Sequence, residues 1–175
     1  METDSPVTIT GISGEASEME RVTLTIDMLS DNANHVGDGG GLPALIDGKV
    51  NTYYHTKWNA PVTTEAHYVQ IKLNKPLKDL CFEYDARQSG VNNGGDVKAA
   101  TIYGSMNGEF FESMGNEEFN LPTTNGGHAT AKNNVSGKQA YNYIRFTPTA
   151  RRDKDPLDYT VAGSAWWNMS EIYLS

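Results

Sequence analysis

The residues of this 175-residue chain whose types and spacing most suggest chemistry are oxygen donors. Asp47-Gly48 is followed by Asn51-Thr52, and Glu171 stands near the C-terminus. A hard cation such as calcium takes about six to eight oxygens and readily uses backbone carbonyls from a tight turn. That loop could therefore wrap such an ion and Glu171 could close the site. On these residues alone, an ordinary Asp-Gly turn and a solvated strand glutamate remain the alternative. The loop after Asp31 does not supply oxygen-bearing side chains at the alternation an EF-hand requires.

Catalytic signatures are missing. There is no Gly-x-Ser-x-Gly elbow, no His-Glu-x-x-His pair, no Gly-rich loop ending in Lys-Ser or Lys-Thr, and no cysteine pair. His35, His55, His67 and His128 show no ligand spacing. Glu117-Glu118 resembles a carboxylate pair, but neighbours on a strand point apart, and the flanking asparagines indicate an exposed turn. The chain is read as not an enzyme in its own right. A hydrolase assembled from distant residues is the reading this leaves as a third choice.

Fourteen Lys plus Arg face twenty-two Asp plus Glu, a net charge of −8 that disfavours nucleic acid, which is bound through clustered cations. Arg151-Arg152-Asp153-Lys154 is locally basic, but its interleaved acid marks a solvated loop. The single cysteine, Cys81, excludes an intramolecular disulfide and is expected on a strand as a small buried group. No run reaches the roughly 20 apolar residues of a membrane span, and residues 1–6 lack a signal pattern. Any export signal is expected to lie outside this chain.

The elements that must position these residues are strands. Seventeen glycines and seven prolines punctuate short apolar stretches. Apolar and polar side chains alternate in Val7–Ile12, Val22–Ile26, Tyr68–Leu73, Leu80–Tyr84 and Ala100–Ser105, and again in Tyr141–Phe146, which is expected to stop at Pro148, and Met169–Leu174. Asn107-Gly108 suits a tight hairpin turn, after which Phe110 and Phe111 resume the apolar pattern. Residues 29–43 read as one long irregular loop. No window keeps helical periodicity for three turns, so the expectation is an all-β antiparallel sandwich with long loops at 29–58, 85–97 and 151–167.

The stretch Ala44-Leu45-Ile46-Asp47-Gly48-Lys49-Val50-Asn51-Thr52-Tyr53-Tyr54-His55-Thr56-Lys57-Trp58 resembles the signature of discoidin domains, also called factor V/VIII type C domains. Tyr68–Leu73, Tyr84-Asp85-Ala86-Arg87-Gln88, Ile102–Gly108 and Ser170–Leu174 are similar to later segments of that family, so the likeness runs from about residue 29 to the C-terminus. Residues 1–28 match no part of the signature and are expected to be an extension, with extra strands packed on a domain of residues 29–175. The His-Thr-x-Trp form looks most like the family thirty-two carbohydrate-binding modules of galactose-binding-like fold found in secreted Bacteroidetes glycan-utilisation proteins.

The resemblance implies an eight-stranded jelly roll and a structural calcium held by Asp47, Thr52 and Glu171, with the carbonyls of Ala44, Lys49 and Met169 as further ligands. It also implies a carbohydrate site built from His55, Trp58 and Arg87, with Trp166 or Trp167 as the stacking platform. One of that pair is expected in the core and one outside, since side chains alternate along an extended segment. Tyr54 is expected in the core, and Asn92 and Asn93 could reach a ligand from their loop. The implied function is non-catalytic binding of galactose-type glycan, as a monomeric targeting module within a larger secreted, periplasmic or surface protein. The alternative is a protein-protein interaction or adhesion domain on the same scaffold. Membrane insertion is not expected, because the end loops are mostly polar and acidic.

Overall fold

A computed structural model describes residues 19–59, 65–89 and 94–175. Ten strands form in chain order: β1 (Leu29–Asp31), β2 (Tyr54–His55), β3 (Val69–Leu80), β4 (Phe82–Asp85), β5 (Val97–Ser105), β6 (Glu112–Asn120), β7 (His128–Ala131), β8 (Val135–Arg151), β9 (Asn168–Met169) and β10 (Glu171–Leu174). Eight make one antiparallel sheet in the order β1-β3-β8-β5-β6-β7-β4-β10, and β2 pairs with β9 separately. The large sheet curls on itself, because Phe82 of β4 meets Phe146 of β8 at 4.9 Å between ring centroids although three strands separate them in the ladder. The molecule is an all-β antiparallel jelly-roll sandwich.

Alternation explains the layers. Val69 and Ile71, Phe82 and Tyr84, Ile144 and Phe146, and Ile172 and Leu174 all turn inward and are buried, while Lys72 and Glu118 face solvent. Trp167 and Tyr54 join this core from the β2–β9 ribbon, with ring centroids 5.4 Å apart, and Trp167 also meets Phe146 at 6.1 Å. The ribbon is thereby welded to the main sheet, so the loops it carries stand on a packed base.

Several sequence expectations are corrected. Residues 22–26 form no strand: Val22 and Leu24 pack on the core, but among the described residues the one backbone bond to the sheet is Val22 N–H to the Leu174 carbonyl at 2.8 Å, and the segment ends in a 3-10 turn, Ile26–Met28. The expected strand at residues 7–12 lies outside the described residues. The stretch at 29–43 is not one loop, since β1 opens it and a second 3-10 turn, Leu42–Ile46, begins at its end. β8 does not stop at Pro148. Ala99 pairs with Ala150 and Ala100 with Pro148, so an extra residue bulges between them and the ladder tolerates a residue lacking an N–H there.

Cys81 is not on a strand. It bridges β3 and β4, half-buried, with its N–H and carbonyl both bonded to Ser175, and burial, with Glu117 and Glu83 nearby, pushes its thiol up to about 11. Glu117 is not in an exposed turn but fully buried on β6, while its neighbour Glu118 faces outward toward Lys132. Nor is the basic tetrad a solvated loop: Arg151 is buried at the end of β8, where Nη1 donates to the carbonyls of Ser164 and Trp166. Arg152 donates to Asp96 at 2.9 Å. Both arginines therefore hold the 152–167 loop down rather than leave it in water.

Candidate functional site

The loops before β2, before β5 and after β8 meet at one end of the sandwich, and the β2–β9 ribbon runs through their centre. Tyr53 and His55 precede and follow Tyr54 in the chain, and the Tyr54 side chain is buried with its hydroxyl donating to Asp31 at 2.8 Å. His55 is only 5% exposed, with Nδ1 2.6 Å from the Thr56 carbonyl. Since that carbonyl only accepts, Nδ1 carries the proton. Burial lowers the pKa of His55 despite that bond and the nearby Asp38 charge, so the ring is neutral and Nε2 is its acceptor.

Around His55 the aromatic and charged side chains form a continuous set. Tyr53 meets it edge-on at 6.4 Å, and the Arg87 guanidinium lies 3.6 Å above the Tyr53 ring. Among the described residues Arg87 makes no ion pair with Asp85 or Glu83, whose carboxylates meet His128 at 2.6 and 2.9 Å. Instead its Nε donates to Ser89 at 3.3 Å. Asp38 accepts from the Tyr53 hydroxyl at 2.6 Å and from the Trp58 indole N–H at 2.8 Å. It lies within electrostatic reach of His55 and Arg87; burial raises its pKa, but these donors and charges outweigh that and leave it lowered.

The three tryptophans divide sharply. Trp167 is fully buried and offers no surface to a ligand. Trp166 is half-buried, and its π surface is shared by His55, stacked at 5.4 Å, and by Arg151, whose guanidinium lies 4.0 Å from the ring. Gly95 lies against its edge, where a Cβ would stand 2.8 Å from Cζ3, so no other residue fits there without displacing the ring. Of the pair from which a stacking platform is expected, Trp167 thus lies in the core, and half-buried Trp166 already contacts His55 and Arg151. Trp58 is the open ring: 45% exposed, stacked on His35 at 4.9 Å and 14°.

Sequence reasoning named His55, Trp58 and Arg87 and missed Asp38, Tyr53 and His35. Asp38 precedes three glycines and reads as turn chemistry; only the fold brings it across to residues fifteen and twenty positions on. The alternation around Tyr54 was the available signal for Tyr53, since a buried Tyr54 turns its neighbour outward. Asn92 and Asn93 lie outside the described residues.

Nearby, the Asp47-Gly48 turn and β10 form a second cluster. Gly48 takes φ +75°, a conformation open to glycine, and this aims the Gly48 and Lys49 N–H groups at Glu171 Oε1, at 2.8 and 3.1 Å. The Thr52 hydroxyl donates to Asp47 Oδ2 at 2.7 Å and approaches the Lys49 carbonyl at 3.4 Å. Burial and the adjacent Asp47 carboxyl push Glu171 up to about 7. Ala44 sits in the 3-10 turn packed against β10, and Met169 ends β9 two residues before Glu171. Among the described residues, no three or more His, Cys, Asp or Glu side chains gather in metal-binding geometry. An ion here would draw much of its shell from carbonyls.

The F5/8 type C domain family matches residues 30–171. No curated protein matches the sequence. Among solved structures, CpGH89CBM32-5 from Clostridium perfringens, in complex with GalNAc-β-1,3-galactose, is 20% identical, with a TM-score of 0.53 over 83% of this chain and 92% of that one. A putative chitobiase fragment from Bacteroides thetaiotaomicron is 14% identical, with a TM-score of 0.58 over 94% and 95%. The family 32 CBM from C. perfringens NanJ, in complex with galactose, is 17% identical, with a TM-score of 0.50 over 83% and 90%. At these identities the structural likeness concerns the fold.

Proposed function

Because this chain belongs to the F5/8 type C domain family, we propose that it is a non-catalytic carbohydrate-binding module for galactose-type glycans, acting through the loop end that carries His55, Trp58 and Arg87. The observation that carries the reading is the convergence, at that end, of an open indole with fixed hydrogen-bonding groups. A sugar ring presents C–H faces to an aromatic plane and hydroxyls to polar groups around it. Trp58 supplies the plane, neutral His55 an acceptor, and Arg87, braced on Tyr53, forked donors for neighbouring oxygens. The sugars named with two of the similar structures lend galactose-type ligands their support.

The Asp47–Glu171 cluster fits a structural calcium. Two carboxyls held against each other, a threonine hydroxyl and turn carbonyls are an oxygen-only donor set, and a divalent cation would neutralise the pair, whose contact adds to burial in raising Glu171. Asp47, Thr52 and Glu171 would hold it, with carbonyls of Ala44, Lys49 and Met169. Bound calcium would supply rigidity to the loop leading into β2. The proposed setting is a secreted, periplasmic or cell-surface protein in which this module holds other domains on glycan.

A glycan array followed by titration with galactose and N-acetylgalactosamine tests the reading, and Arg87→Ala is expected to weaken binding about tenfold or more, as for loss of hydrogen bonds from a charged group. No binding across a broad panel would overturn it. The exposed Val36 and Val161, in the two loops that touch Trp58, favour a protein partner as the second reading.

A further inference from the structure

Two loop residues that sequence reasoning passed over hold the proposed platform and the proposed donor in one unit. Asp38 splits its carboxylate between them: Oδ2 accepts from the Trp58 indole N–H at 2.8 Å, and Oδ1 accepts from the Tyr53 hydroxyl at 2.6 Å. The Tyr53 ring in turn carries the Arg87 guanidinium 3.6 Å above its centroid. The far face of the unit is closed by His35, whose ring stacks on Trp58 at 4.9 Å and whose backbone N–H donates to the His55 carbonyl at 2.9 Å. The unit thus runs Arg87–Tyr53–Asp38–Trp58–His35, and backbone bonds tie the same loops beneath it, Asn34 bridging to Thr56 and the Gly40 N–H donating to the Tyr53 carbonyl at 2.8 Å.

We propose that Asp38, acting with Tyr53, is the positioning residue of the site: it fixes the Trp58 ring and, through Tyr53, the Arg87 fork in the relative geometry one sugar ring needs. The proposal rests on the carbohydrate reading. An exposed tryptophan on a loop would otherwise lose rotamer freedom at the moment of binding, and an ordered one meets the ligand already placed. A carboxylate suits the task because both donors are neutral O–H and N–H groups, and an acceptor-only side chain can take both at once. Asparagine keeps an acceptor for the indole N–H and can offer an N–H to the Tyr53 hydroxyl oxygen, so it removes the charge and reverses one bond, a smaller change than alanine makes.

The test compares the calcium-loaded wild-type domain with Asp38→Ala, Asp38→Asn and Tyr53→Phe in two measurements. The first is affinity for the best sugar of the glycan array. The second is the indole N–H region of the 15N NMR spectrum, where the three tryptophans give three signals and Trp58→Phe identifies that of Trp58. The expected result is an affinity loss of about tenfold or more for Asp38→Ala, with smaller losses for the other two. The Trp58 signal should shift and exchange faster with solvent in Asp38→Ala while those of Trp166 and Trp167 stay in place. Affinity for Asp38→Ala within about twofold of wild type would overturn the positioning role alone. Loss of affinity with all three indole signals displaced in both Asp38 variants would overturn it too, since the residue would then be supporting the fold. A wild-type domain that binds no sugar of the panel overturns the carbohydrate reading and this role with it.

Discussion

Glu117 lies wholly inside the sandwich, with Oε1 accepting the Phe82 N–H at 2.9 Å and Oε2 finding no partner among the described residues. Burial, reinforced by the charge of Glu83 and only partly offset by that N–H, pushes its carboxyl up to about 8 from an ordinary 4.5. For an acid raised in the folded state, the stability is fully present below about pH 4.5 and is lost as pH rises toward about 8, where the buried group must ionise. Glu117→Gln cannot ionise and keeps an acceptor for the Phe82 N–H. Wild type is therefore expected to lose, on the order of a few kcal/mol relative to Glu117→Gln between pH 5 and pH 9. Paired thermal melts across that range measure the gap; parallel curves would show that the carboxyl ionises without cost.

At the scale of elements, the decisive joint is the one between the Asp47-Gly48 turn and β10. Four hydrogen bonds cross or brace it, from Gly48, Lys49 twice and Thr52, and all end on the two carboxylates proposed to hold calcium. An ion bound only by the folded state raises the melting temperature by mass action. The wild-type domain should melt at a lower temperature in chelator than in millimolar calcium, and Glu171→Gln should melt alike in both. A wild-type melt indifferent to chelator would remove calcium from the proposal. The element boundaries that sequence misplaced share one cause. Residues 22–26 alternate like a strand but meet no partner ladder, while β8 runs past Pro148 because a bulge in the partner register accommodates it. Alternation reports which face is buried, not whether a neighbouring strand is there to be bonded.

For the molecule as a whole, Trp167 is the keystone, fully buried between Tyr54 of the β2–β9 ribbon and Phe146 of the main sheet. Trp167→Ala is expected to cost about 3–5 kcal/mol, the range for deleting a large core aromatic, and to unfold ribbon and sheet together. Chemical denaturation followed by far-ultraviolet circular dichroism and by tryptophan fluorescence should give coincident transitions in the wild type; separate midpoints would mean that the ribbon is not part of the same cooperative unit. Sequence by itself determined the all-β class and the strands at Tyr68–Leu73 and Ala100–Ser105, because alternation and turn chemistry are local properties written in neighbouring residues, while the family resemblance placed Tyr54 in the core and drew attention to His55, Arg87 and the Asp47 loop. Only the tertiary structure decided which tryptophan of the Trp166-Trp167 pair is in the core, that Arg151 and His55 contact Trp166, that Glu117 is buried, and that Asp38 clasps Tyr53 and Trp58. Those outcomes depend on which distant side chain arrives to cover a face or accept a proton. No spacing along the chain encodes that, because it is set by how the curled sheet brings separate loops to one end.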